Sequence, residues 1–248
     1  MRPVLVLLRK DFTYFRRDRG SVILTFLVPF ALMYIFGQIF GVHRGNGGYS
    51  GSQLIGGWAM QFLQFALVFS ATSLFHEKDN GLFQRILSGP VPRSTILWSK
   101  FLYGICLGLL QLLVLFSAGS VLFGLSLAPH LPLLGLVCIF AAASCSAFGM
   151  LLAAVARTPE MARSLATFSI LLMSALGGAW FPIAFMPPVM QQLSRLTLVY
   201  WSIGGFGQAL GNHASLLGVL PNVGVLALIS AAFLGLAWWQ FRRGTIFD

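Results

Sequence analysis

The side chains able to do acid–base, nucleophilic or metal chemistry are few in this 248-residue chain, and they do not cluster. Outside the N-terminal stretch the acids are Glu77, Asp79, Glu160 and Asp248, and the histidines His43, His76, His130 and His213 fall in different loops. No G-x-x-x-x-G-K-[ST] loop occurs, so this route to ATP binding is closed to the chain. Neither a G-x-S-x-G elbow nor an H-E-x-x-H pair is present. Cys106, Cys138 and Cys145 lie inside apolar blocks, without disulfide or metal-ligand spacing. What remains is a set of neutral polar and soft side chains within apolar surroundings. Gln61, Gln64 and Thr72 stand near Phe65 and Phe69, and Thr167, Met173 and Ser174 follow later in the chain. Gln61, Phe65 and Thr72 share roughly one face by helical spacing. Glutamines in such a wall orient a guest, while aromatic and methionine side chains keep it pliable. The competing reading is that Gln61 and Gln64 only hydrogen-bond neighbouring helices.

The elements that must carry these residues are membrane spans. The chain is 57% hydrophobic and 9% charged, and its apolar residues come in long blocks. A span needs roughly 20 apolar residues at about 1.5 Å rise each. Six blocks free of Asp, Glu, Lys and Arg qualify: 21–41, 54–75, 101–123, 133–156, 164–185 and 221–241. Continuous apolar runs satisfy their own backbone in lipid as helices, whereas membrane strands alternate. The expected fold is therefore an all-α integral membrane domain spanning 1–248. The net charge of +10 does not indicate nucleic acid, because the basic residues sit in the gaps between blocks. Fourteen of the sixteen fall in the N-terminal segment, the second and fourth gaps and the C-terminal tail. The positive-inside rule makes that side cytoplasmic and puts both termini there. No ionisable residue lies within a span, which argues against an ion-coupled carrier.

Residues 3–17 form an amphipathic pattern, with Leu5, Leu8, Phe12 and Phe15 on one face. This predicts an interfacial helix resting on lipid. The first block has no clear small-residue cleavage site and is read as a retained span. Gly104 and Gly108 make a G-x-x-x-G pair, and 141–149 is rich in small residues. Close packing within one subunit is favoured over a dimer seam.

The gap between the second and third blocks reads HEKDNGLFQRILSGPVPRS over 76–94 and runs on to Lys100. Leu82, Phe83, Ile86 and Leu87 repeat with helical spacing, and Gly89-Pro90 stops the helix. It is longer than a simple connector and has two faces, so it suits a surface offered to a partner. The segment resembles the cytoplasmic coupling region of permease subunits in the ABC type-2 transporter family. The matching residues are Glu77, Gly81, Leu87, Pro90, Arg93 and Lys100, while Leu82-Phe83-Gln84 replaces the usual Thr-Leu-Glu. The likeness extends in outline over the whole chain, including Phe181-Pro182 and Pro187-Pro188 after the fifth block.

The resemblance implies a permease subunit of an ATP-driven exporter in the plasma (cell inner) membrane. It implies pairing with a second permease subunit, as homodimer or heterodimer, and docking of a separate ABC ATPase that carries ATP and Mg. No cofactor is expected on this chain. Glu77, Gly81, Arg85 and Pro90 are the residues expected to meet the ATPase. Gln61, Gln64, Phe65, Phe69, Thr72, Thr167 and Met173 are expected along the path of a lipophilic or amphiphilic cargo such as a drug, a lipid or a glycan-type molecule. A six-span channel or scaffold without an ATPase is the alternative.

Overall fold

A computed structural model describes residues 2–39, 51–79, 93–125, 127, 131–211 and 214–243. The described residues are nearly all helical and contain no strand. Helix α1 covers Arg2–Arg17 and α2 Arg19–Ile39; α3 is Gly51–Asp79, α4 Arg93–Phe123 and α5 Leu131–Val155. Helix α6 is Pro159–Leu176, α7 Pro188–Ser194, α8 Leu198–Leu210 and α9 Leu216–Arg243. Of these, α2, α3, α4, α5 and α9 are long and apolar enough to cross a membrane. In their most apolar windows, 73% of α3 and 72% of α5 is buried, against 22% of α2 and of α9. The second and fourth blocks are thus the centre of the bundle, and α2 and α9 offer most of their apolar surface outward. Leu24, Leu27, Leu228 and Leu236 are exposed there, which is the surface lipid tails would cover.

Three sequence expectations are corrected in detail. The block at 164–185 is helical only to Leu176. Gly177 caps the end and Gly178 takes φ +84°, a left-handed conformation that glycine adopts without cost. The third helix starts at Arg93, so Lys100 lies inside it and not ahead of it. Residues 198–210, which the span count passes over, form α8, a helix of about 20 Å that packs on α3, α5 and α9. The short helix expected over 82–87 lies outside the described residues.

Helix α1 forms as expected, and most of its apolar stripe packs against protein. Leu8, Phe12 and Phe15 pack against the bundle, and the Phe12 ring meets Tyr103 of α4 edge-on at 4.9 Å. Leu5 points outward, 63% exposed. Asp18 separates α1 from α2 and caps the latter by accepting hydrogen bonds from the Gly20 and Ser21 amides.

Helix α2 contains a π turn at Ile23–Leu27, and its cause is local. Pro29 has no N–H to give the carbonyl four residues back, and its ring crowds that carbonyl. That residue is Thr25. The wider turn relieves the crowding, and the side chain of Gln111, fully buried on α4, donates through Nε2 to the Thr25 carbonyl at 3.1 Å. In hydrocarbon such a carbonyl needs a partner from within the protein.

Candidate functional site

Two groups of polar side chains stand out against the apolar bundle. The first lies at the end of α3 and the start of α4. Lys10 and Asp11 of α1, Glu77 of α3 and Lys100 of α4 form a closed ring of alternating charge. Glu77 Oε1 accepts from Lys10 Nζ at 2.6 Å and from Lys100 Nζ at 2.7 Å. Asp11 Oδ1 lies 3.0 Å from Lys100 Nζ and 3.1 Å from Lys10 Nζ. Lys100 also donates to Ser73 Oγ of α3 at 3.2 Å. The Lys100 side chain is 4% exposed, that of Asp11 6% and that of Glu77 16%. Two positive and two negative groups cancel, which is the condition for holding charge away from water.

Burial works to raise the Glu77 pKa, but the attraction of Lys100 and the hydrogen bonds from Lys10 and Lys100 outweigh it and hold the carboxyl below its ordinary range. Burial likewise works to lower the Lys10 pKa, and its hydrogen bond to Glu77 and the charges of Asp11 and Glu77 raise it instead. A depressed carboxyl pKa stabilises the fold above the ordinary carboxylate range and loses that effect as pH falls through the folded value. A raised lysine pKa stabilises below the ordinary lysine range and loses its effect only as pH rises through the folded value. Docking of α1 is therefore expected to be flat through neutral pH and to weaken in acid below the ordinary carboxylate range. Hydrogen exchange of α1 amides, corrected for the intrinsic pH dependence, measures this; protection that already fades between pH 8 and 6 would contradict it.

The second group lies between α3 and α6. Trp180 Nε1 donates to Gln61 Oε1 at 2.6 Å, and Gln64 Nε2 approaches Met173 Sδ at 3.8 Å. Gln64 and Ser174 are fully buried, and Gln64 Oε1 and Ser174 Oγ make no hydrogen bond. An unsatisfied buried polar atom costs about 1–3 kcal/mol. This seam therefore holds hydrogen-bonding capacity that the helices themselves do not use.

Glycines let the surrounding elements close on α3. A Cβ on Gly57 would lie 2.2 Å from the Ala179 carbonyl oxygen, and one on Gly56 would touch Phe206 of α8. Gly104 and Gly108 of α4 lie against Ser146 and Ala142 of α5, so this pair packs within the subunit. Ser146 Oγ seals that contact by donating to the Phe101 carbonyl at 3.0 Å.

Of the residues expected along a cargo path, the structure brings Gln61, Gln64 and Met173 together and adds Trp180. Phe65 is half-buried beside Phe62, with ring centroids 6.4 Å apart. Thr167 is exposed on another face of α6, where its hydroxyl donates to the Arg163 carbonyl at 2.9 Å. Phe69 and Thr72 lie on α3 with side chains outside the described residues. Of the coupling residues, Glu77 sits in the charge ring, while Gly81, Arg85 and Pro90 lie outside the described residues. Lys10 and Asp11 were missed by sequence reasoning. The signal available was the burial of an acid on the apolar side of α1, one helical turn from Leu8 and Phe15.

Helices long and apolar enough to cross a membrane agree with what the chain is similar to. The family model described as ABC-2 type transporter matches residues 2–210. The chain belongs to the ABC-2 type transporter family. It is 28% identical over 215 residues to the inner membrane transport permease YadH of Escherichia coli (strain K12), covering 85% of this chain and 82% of that protein. It is 23% identical over 175 residues to the linearmycin resistance permease protein LnrN of Bacillus subtilis (strain 168), covering 71% of this chain. The aligned region is 45% of LnrN, so the chain spans about half the length of that relative. As an ABC-2 permease it is a multi-pass membrane protein and the membrane subunit of an ABC transporter.

Proposed function

We propose that this permease moves a lipophilic or amphiphilic cargo outward across the plasma (cell inner) membrane, driven by a separate ABC ATPase that binds ATP and Mg. The observation that carries this reading is the seam between α3 and α6. Gln61, Gln64 and Ser174 place polar atoms inside an apolar bundle, and Met173, Trp180 and Phe65 give them an adaptable apolar rim. A cargo that is largely apolar with a few hydrogen-bonding groups fits that chemistry; a highly charged one does not. LnrN is named for resistance to linearmycin, and resistance accords with outward movement.

The proposed arrangement is a pair of permease subunits, homodimeric or heterodimeric, each crossing six times with α6 as the fifth crossing. At 18 residues α6 reaches about 27 Å, close to the thickness of the hydrocarbon core. Both termini lie in the cytoplasm. The charge ring supports this by bringing α1 to the same end of the bundle as the end of α3 and the start of α4, the end richest in Lys and Arg. Labelling of single cysteines should then find position 157 shielded from external reagent and position 188 open to it. The ATPase docks on the segment following Glu77, with Gly81, Arg85 and Pro90 shaping the contact.

Two measurements test the reading. The wild-type chain should co-purify with an ABC ATPase, and deleting 82–87 should abolish this; an unchanged yield after the deletion would refute the docking site. In inside-out vesicles given a fluorescent phospholipid analogue or ethidium, ATP should drive accumulation. Gln61→Ala with Phe65→Ala should reduce it roughly tenfold while the protein elutes as folded. Wild-type accumulation by that variant would remove the seam from the path.

A further inference from the structure

The charge ring joins three elements that are distant in sequence. Glu77 stands just before the segment that links α3 to α4, and Lys100 stands two turns into the helix that follows it. Their 2.7 Å contact therefore ties the two ends of that segment together. Lys10 and Asp11 close the ring from α1. We propose that the ring is a clasp that binds α1 to both ends of the cytoplasmic segment, so that a displacement of the segment moves α1 and the bases of α3 and α4 as one body. In this role Lys100 and Glu77 are positioning residues, acting through the helices they hold. That the displacement comes from an ATPase rests on the function proposed above; the clasp itself does not.

The geometry gives the clasp a defined seam. Lys10 and Asp11 are neighbours on α1, and Glu77 and Lys100 face each other across α3 and α4. If α1 leaves, the ring divides into two neutral pairs and strands no charge. If instead one member is neutralised, the remaining three carry a net charge in a site with little water, which is strongly unfavourable. Lys100 bears most of this. It bridges both carboxylates and is 4% exposed, whereas Lys10 is 35% exposed. The aromatic contacts of Phe12 with Tyr103 and Phe15 with Phe26 lie beside the ring, so charge and apolar packing act on the same helix.

The test uses the full chain in nanodiscs, followed by hydrogen exchange at the amides of α1 and, as internal reference, of α5. The double variant Lys10→Met with Asp11→Asn opens the seam without leaving an unpaired charge, so the bundle should remain folded and α5 protected. Exchange in α1 should rise about tenfold in it. Lys100→Arg should stay near wild type, while Lys100→Met should raise α1 exchange at least as much as the double variant. When the complex with its ATPase is reconstituted, ATP with vanadate should change α1 exchange in the wild type but not in the double variant, although the ATPase still co-purifies with both. Unchanged α1 exchange in the double variant would overturn the clasp, as would an ATP-dependent change that persists in it. A wild-type chain that binds no ATPase would instead defeat the proposed function, and the nucleotide-free exchange would still decide the clasp.

Discussion

Gly57→Val is expected to leave little folded permease. The first added carbon alone would lie 2.2 Å from the Ala179 carbonyl oxygen and 2.9 Å from its carbonyl carbon. Both are backbone atoms, so no rotamer change makes room. The turn that holds Ala179 has little freedom to retreat. Gly178 before it is in a left-handed conformation, with Ile183 packed against its Cα. The Ala179 amide is bound to the Ser174 carbonyl at 2.9 Å. Overpacking in an accommodating core already costs about 1–3 kcal/mol, and a rigid backbone contact belongs at or above the top of that range. Thermal stability followed by size-exclusion chromatography in detergent measures the effect. Gly135→Ala is the control, because a Cβ there meets nothing within 4 Å, and it should be neutral or slightly stabilising. If Gly57→Val melted with the control, the close approach of the turn at 177–180 to α3 would be wrong.

Phe206→Ala is the second large effect. Phe206 is fully buried on α8, meets Phe116 of α4 edge-on at 5.0 Å and lies against Gly56 of α3. Its removal leaves a cavity among three elements that cannot all move in. A truncated buried phenylalanine typically costs about 3–5 kcal/mol, and part of that is transfer from water. In a membrane the apolar transfer term shrinks, because lipid replaces water as the reference, while the lost dispersion contacts remain. A loss of about 2–3 kcal/mol is therefore expected for the folded bundle. The local signature should exceed the global one: α8 amides should lose protection before those of α5. A variant whose α8 stays as protected as in the wild type would show that other contacts hold this helix.

Sequence patterning revealed much of this fold, for a physical reason. Apolar blocks are long because lipid demands it, and the charges gather in the gaps because burying them is costly. Both are properties of single segments and need no partner to be seen. What the blocks did not reveal is what depends on pairs of segments. The helix at 198–210 is apolar like a span but too short to be one, and only its packing on α3, α5 and α9 accounts for it. The glycine pair at 56 and 57 carries no signal until Phe206 and Ala179 are placed against it. The candidate site divides in the same way. Gln61, Gln64 and Met173 stand out as polar or soft groups in apolar runs, and they do meet. Thr167 lies on another face of α6 from Met173, and its hydroxyl satisfies itself on the Arg163 carbonyl of its own helix. Glu77 was legible as a charge in the gap between two apolar blocks, but its partners come from residues 10, 11 and 100. Those separations appear only in the folded chain.

The π turn in α2 has a consequence for how that helix is phased against the rest of the molecule. Each α-helical residue turns the chain by about 100°. Five residues wound as regular helix at Ile23–Leu27 would swing the preceding part of α2 by about that angle relative to Pro29, and the wider turn takes up the extra residue without that swing. The chain reaches α1 through the single break at Asp18. The azimuth at which α1 meets the bundle is thus set partly by the wide turn farther along the chain. The Gln111 contact that satisfies the loosened carbonyl is then also a rotational stop: it fixes the phase that lets Lys10 and Asp11 face Lys100.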